Sequence, residues 1–128
     1  MTYTNLPPPI GAFFAAADRA DLEGLWTCFS RDALVNDQLR DFWGCAAIRA
    51  WLATEVVGDR LRFLITGVRE HHGEIIVTAE VDGDFDKTGL PQPMIVTLHF
   101  TLRDAAIVRL IILANLGADA APVIRQSA

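Results

Sequence analysis

The apolar residues of this 128-residue chain change period near residue 60. Before that point they recur every three or four positions, with one short alternating stretch between; after it they alternate every two. A chain built this way places helices first and a sheet second, and the two must share one core. Pro7, Pro8 and Pro9 precede the first helical run, where proline is well tolerated, and Ile10, Phe13, Phe14 and Ala17 share its spacing. Asp21 is placed to cap a second helix with Leu22, Leu25, Trp26 and Phe29 on one stripe. Residues 33–37 read as a short strand, and 38–44 as a connector with a possible second short strand. A third helix is expected over 45–57, with Ile48, Trp51, Leu52 and Val56 on one face, Arg49 and Glu55 elsewhere, and Gly58 at its end.

Beyond residue 60 the pattern predicts long strands over 60–70 and 74–81, joined by a tight turn at His72-Gly73. Ile75, Val77, Ala79 and Val81 fall on one face, with Thr78, Glu80 and Asp82 on the other. A polar loop spans 82–91. Met94, Val96, Leu98, Phe100 and Leu102 then alternate with Thr97, His99, Thr101 and Arg103, and a turn at 104–106 leads to a last strand over 107–114. That strand is apolar on both sides, so both faces are expected to be buried, one toward a pocket and one against a second subunit. The expectation is an α+β cone: three N-terminal helices on a strongly curved antiparallel sheet of about four long strands plus one or two short ones. It forms one domain over 1–128, with a core over 8–115 and a loosely packed tail over 117–128.

Composition narrows the function. The hydrophobic fraction of 52% lies slightly above that of ordinary soluble domains, which points to a lined cavity or an oligomer interface. The net charge of −5, with no basic block, argues against nucleic acid and anionic membranes. The apolar run 107–116 is interrupted by Arg109 and is far shorter than the about 20 residues of a membrane span. The first residues carry neither a basic region nor an apolar stretch, so a cytoplasmic location is the expectation. Cys28 and Cys45 are too few for a disulfide framework and read as small packing residues, although Cys45 falls at a helix start, where a thiolate is favoured.

The candidate catalytic group is Asp37, at the end of an apolar strand between two apolar helices. A carboxylate facing a greasy pocket is a usable base, because burial raises its pKa. Trp26, Phe29, Trp43, Trp51, Phe63 and Phe100 are candidates to line that pocket against a flat apolar ligand; each is also an ordinary core residue. Asp32 reads as a turn cap before the strand, and Asn36 points away from Asp37 by alternation. No metal site is expected. His71 and His72 are adjacent in sequence and face opposite ways, and Asp82-x-Asp84-x-Asp86 lacks the glycine and glutamate of a calcium loop, having Lys87 and Pro93 there. His99 faces inward as a partner for Asp37, or outward on the stripe of Thr97, Thr101 and Arg103; the polar neighbours favour outward. Arg60 and Arg62 begin a strand, as partners for an acidic substrate or as solvated surface; solvation is favoured.

Ala20-Asp21, Phe29-x-x-Asp32-Ala33, Val35-x-Asp37 and Gly44-x-x-x-Ile48 resemble the NTF2-like superfamily, in its SnoaL-like and ketosteroid-isomerase-like branch, over about 8–115. The resemblance implies a cone with an internal cavity and no metal or organic cofactor. It puts Asp37 at the position of the proton-shuttling aspartate of ketosteroid isomerases. The tyrosine position of that family falls on Phe13 or, one residue out of register, Phe14. The second acid falls near Leu98 or, by another alignment, His99. Phenylalanine and leucine donate no hydrogen bond, so Phe13, Phe14 and Leu98 are expected to contact substrate as apolar surface, and steroid isomerisation is disfavoured. The expectation is a cofactor-independent isomerase, cyclase or dehydratase acting on an apolar, ketonic or polycyclic molecule, homodimeric through the sheet. The alternatives are a non-catalytic pocket for a hydrophobic metabolite and a protein-interaction module that uses the sheet face.

Overall fold

The structure of the chain, a computed structural model, describes residues 6–115. The tail expected over 117–128 lies outside the described residues. Helix α1 (Pro8–Asp18) begins at its prolines and buries Ile10, Phe13, Ala16 and Ala17. Helix α2 (Leu22–Trp26) is capped by Asp21, whose carboxylate accepts the Gly24 amide at 3.0 Å. This satisfies one of the donors that a helix start leaves open.

Strand β1 (Phe29–Asp37) and strand β2 (Arg40–Trp43) form a hairpin, followed by helix α3 (Gly44–Trp51). The helix expected over 45–57 is not uniform: from Leu52 to Val57 it widens into a π-helical segment. Ile48, Trp51, Leu52 and Val56 are buried, as their spacing predicts. At Gly58 a side chain has no room, since a Cβ there would collide with the Thr54 carbonyl oxygen.

Four long strands follow: β3 (Arg62–His71), β4 (Glu74–Asp82), β5 (Met94–Arg103) and β6 (Ala106–Asn115). The six strands form one sheet in the order β2-β1-β6-β5-β4-β3. Two expectations need correction. The sheet is mixed, because β1 runs parallel to β6 while the other neighbours are antiparallel. Strand β1 is also long: it begins at Phe29, and its register shifts between Phe29 and Leu34. Alternation is lost across that irregularity, so the sequence pattern shows only the second half of the strand. Asp32 consequently lies within β1, not before it.

Further register shifts lie between Ile65 and Gly67 in β3 and between Thr101 and Leu102 in β5. Such irregularities bend strands, and here they help curl an open sheet around the helices. Helix α1 packs on β3 and β6, and α3 packs on β1 and β2. The inner face carries Val35, Val77, Ala79, Val96, Leu98, Phe100, Leu110 and Ile112. On the outer face Ile111 and Leu113 of β6 are half-buried, so burial of both faces of that strand is incomplete within this chain.

Candidate functional site

The inner face is filled at one end and hollow at the other. At the filled end Phe13 sits among four other phenylalanines. Its ring lies 5.2 Å from Phe14 and 5.6 Å from Phe100, edge to face, and 6.1 Å from Phe29 and 6.3 Å from Phe63. Phe14 closes the cluster against Phe63 and Phe100 at 5.5 and 5.8 Å. These are the separations and tilts that aromatic rings prefer.

Toward the other end of the same strands lies a cavity of about 350 Å³. Its apolar wall includes Phe13, Trp51, Val56, Phe63, Val96 and Ile112, with Phe85, Leu90 and Met94 contributed by the β4–β5 loop and the start of β5. Its charged wall is Asp37, Arg40, Glu55 and Asp59, with Gln38 beside them.

Asp37 reaches this cavity because it is the last inward residue of β1, paired with Ile112 of β6 on one side and Arg40 of β2 on the other. Its side chain is 15% exposed. Its Oδ2 accepts the Trp51 indole N–H at 3.0 Å and the Arg40 guanidinium at 3.0 Å; its Oδ1 accepts only the Gln38 amide, at 3.2 Å. The expected isolation of this carboxylate among greasy side chains is therefore not found: Asp37 is ion-paired. Arg40 also donates to both oxygens of Glu55, at 2.9 and 2.8 Å, and through Nε to the Asp37 carbonyl at 3.1 Å. The Glu55 hydrogen bonds push the Arg40 pKa above its ordinary value, so the guanidinium is a permanent cation.

The turn that delivers Arg40 is strained. Gln38 and Leu39 both have positive φ, 54° and 69°, in a two-residue hairpin that ordinarily takes glycine or asparagine. The Gln38 side chain holds it in place. It donates to the Ile112 carbonyl at 3.2 Å and accepts the Ala114 amide at 3.0 Å, continuing the β1–β6 ladder with a side-chain amide where the backbone has turned away.

Of the expected lining residues, the structure brings Phe13, Trp51 and Phe63 to the cavity with Asp37. Leu98 and Phe100 are on the inner face but fully buried and not on the cavity wall; Phe100 and Phe14 belong to the phenylalanine cluster. Phe29 packs there too, against Phe13. Trp26 lies away from the cavity wall: its indole donates to the Cys45 carbonyl at 3.2 Å and Arg49 stacks over its ring. Trp43 is on the outer face of β2 and 66% exposed. His99 also points outward, with Nδ1 3.3 Å from Glu74. Cys28 is buried, which pushes its thiol pKa up and leaves it a packing residue. Among the described residues no three His, Cys, Asp or Glu side chains are grouped to hold a metal, and no helix is long and apolar enough to cross a membrane.

Two functional residues differ from the sequence expectation: Arg40 has no assigned role there, and Glu55, expected away from the apolar face of the third helix, lies on the cavity wall beside Trp51 and Val56. Both left a signal. Across a two-residue turn Arg40 must pair with Asp37, and Glu55 lies four residues after Trp51, hence on the edge of its face.

The sequence profile of the SnoaL-like domain matches residues 10–110. Among solved structures the chain is similar to a Sinorhizobium meliloti protein provisionally assigned as a polyketide cyclase, with 26% identity and a TM-score of 0.78 over 88% of this chain and 100% of that one. It shares its fold with a Catenulispora acidiphila protein of ketosteroid isomerase-like fold in complex with trimethylamine (20% identity, TM-score 0.69, 85% of this chain and 86% of that one). It shares it also with TerC co-crystallized with polyporic acid (17% identity, TM-score 0.70, 91% and 96%). No curated protein matches the chain. The chain belongs to the SnoaL-like domain family, within the NTF2-like superfamily.

Proposed function

We propose that this SnoaL-like protein is a cofactor-independent enzyme that moves a proton on an apolar, ketone-bearing small molecule, in an isomerase-, cyclase- or dehydratase-type step, with Asp37 as the acid/base. The observation that carries the reading is the Asp37 carboxylate on the wall of a cavity of about 350 Å³ whose other walls are largely apolar. A volume of that size suits a molecule of two or three fused rings. Oδ1 has one long hydrogen bond and is the oxygen with lone-pair capacity to accept a proton.

The test is deuterium uptake from heavy water into a panel of apolar cyclic ketones, wild type against Asp37→Asn. The exchange should fall by about 100-fold or more, the usual worth of a positioned base, with affinity for the same ketones retained. A second reading, a non-catalytic pocket, draws on the pairing of Oδ2 with Arg40 and Trp51, which also suits a purely structural acid. Uptake that is no faster than the buffer rate, or equally fast in both proteins, would leave that reading standing.

Two further parts of the proposal concern setting. We place the protein in the cytoplasm and pair it as a homodimer through the outer sheet face, where Leu34, Ile95, Ile111 and Leu113 are half-buried beside the exposed Trp43. Sedimentation as a monomer at micromolar concentration would remove the dimer, and export of the tagged protein from its host cell would remove the location.

A further inference from the structure

A base that removes a proton next to a carbonyl needs a donor where the oxygen's charge develops. In this chain the two positions where the resemblance puts such donors carry Phe13 or Phe14 and Leu98 or His99, and His99 points outward to Glu74. The cavity wall nevertheless holds three side chains with N–H groups: Gln38, Arg40 and Trp51. Counting their hydrogens separates them. The Gln38 amide nitrogen has two, and they go to Asp37 Oδ1 and the Ile112 carbonyl. The Trp51 indole has one, and it goes to Asp37 Oδ2. The Arg40 guanidinium has five. Nε serves the Asp37 carbonyl, Nη2 serves Asp37 Oδ2 and Glu55 Oε1, and one hydrogen of Nη1 serves Glu55 Oε2. The second hydrogen of Nη1 has no acceptor among the described residues.

We infer that Arg40 is a catalytic residue: its Nη1–H binds the carbonyl oxygen of the substrate and holds the enolate oxygen while Asp37 works on the neighbouring carbon. This rests on the proton-transfer reading above and adds the substrate's recognition group, a neutral carbonyl. The step balances within the site. Asp37 Oδ1 takes the proton from the carbon beside the carbonyl. The C–H electron pair becomes the new carbon–carbon double bond, and the carbonyl π pair moves to oxygen, against Arg40. Asp37, now neutral, returns the proton to carbon, and the oxygen recovers its carbonyl. The charge moves from carboxylate to enolate and back, and the guanidinium adjoins both positions. Glu55 holds the fork from the far side, so Arg40 does not swing away when Asp37 is protonated. An anionic substrate is disfavoured, because three acids and one base already line the wall.

The probes are 2-naphthol, a planar mimic of the enolate of 2-tetralone, and naphthalene, which has the same rings without the oxygen. Wild type should bind 2-naphthol more tightly than naphthalene, and Asp37→Asn, which imitates the protonated base, should keep or widen that preference. Arg40→Met should lose the preference by roughly tenfold or more, the worth of a charge-assisted hydrogen bond, with naphthalene affinity unchanged. Where Arg40→Met does not fold, Arg40→Lys serves: it keeps the cation beside Asp37 and Glu55 but not the fork, and the preference should still fall. No preference in wild type, failure of both probes to bind, or a preference indifferent to Arg40 overturns the inference. Deuterium uptake into 2-tetralone separates the two readings. Loss in Asp37→Asn without loss in the Arg40 variant sinks the role of Arg40 alone. A naphthol preference that follows Arg40, with no exchange dependent on Asp37, sinks the base and leaves Arg40 as a carbonyl-binding residue.

Discussion

The same strands build two ends of one interior, and the ends obey different rules. At the closed end every group is apolar, most ring pairs meet edge to face, and Phe13 and Phe100 have no exposed surface. At the open end β1, β2 and the π-helical segment present a carboxylate, a guanidinium and a second carboxylate around empty space, on a turn with two residues in the left-handed region. Packing at the first supplies the stability that tolerates strain and a void at the second. Inward-facing side chains are thus of two kinds, and only their depth along the strand tells them apart: Val96 and Ile112 line the cavity, while Leu98 and Phe100 are not on its wall.

The largest effect should come from the closed end. Phe100→Ala removes a fully buried ring that touches Phe13 and Phe14, and large-to-small changes of this kind cost about 3–5 kcal/mol. Urea denaturation measures it as a lowered midpoint with an unchanged slope. A cost of under about 1 kcal/mol would mean that the rings relax into the void, and the contrast between a packed end and a hollow one would fail.

That contrast also marks where the sequence was readable. Periodicity located α1, the start of α2 and the strands from Arg62 to Asn115, because helix and strand spacing is local information; Phe29, expected on the α2 stripe, instead opens β1. Alternation assigned Val96, Leu98 and Phe100 to one face correctly, but it has no coordinate for depth, so it could not say which of them meets the cavity. The parallel pairing of β1 with β6 joins residues more than seventy positions apart, and nothing in either segment announces it. The π-helical widening at Leu52–Val57 is equally silent in a pattern that fits an ordinary helix. Asp37 was visible as an acid ending an apolar strand. Its partners Arg40 and Glu55 were not singled out, because charged residues are read as surface until a turn or a helix face is traced through them. Phe85 and Leu90 were hidden in a loop dominated by polar residues.

At the open end the expected change has the opposite sign. Leu39 has φ of 69° and is 49% exposed, so it pays for its conformation without burying much surface. A left-handed backbone costs an ordinary residue about 1–2 kcal/mol, partly offset in glycine by its freer unfolded chain. Leu39→Gly should therefore stabilise the protein by about 0.5–1 kcal/mol, read from the same denaturation curves. A neutral or destabilising result would mean that the Leu39 side chain supports the hairpin, and the strain assigned to this end would be withdrawn.

The smallest effect separates both ends from the surface around them. Four exposed carboxyls are held below their ordinary value of 3.8: Asp21 by the Gly24 amide and then Arg19, Asp32 by Arg103 and then Ser30, Asp82 by the Gly83 amide and then Lys87, and Asp86 by the Thr88 amide. A carboxyl whose pKa is depressed by folding stabilises the native state fully above its unfolded pKa and stops doing so as pH falls through the folded one. These groups should leave the melting temperature level with respect to them at neutral pH and contribute a decline below about pH 4, a small one because exposed pairs are weak. Asp32→Asn, which weakens the link from β1 to Arg103 on β5, should make that acid decline shallower. Phe100→Ala should lower the whole melting curve between pH 7 and pH 3 by a nearly constant amount, since no ionisable side chain belongs to the phenylalanine cluster. If Phe100→Ala instead steepens the acid decline, the closed end is coupled to the charged periphery, and the two regions do not act as the separate units their packing implies.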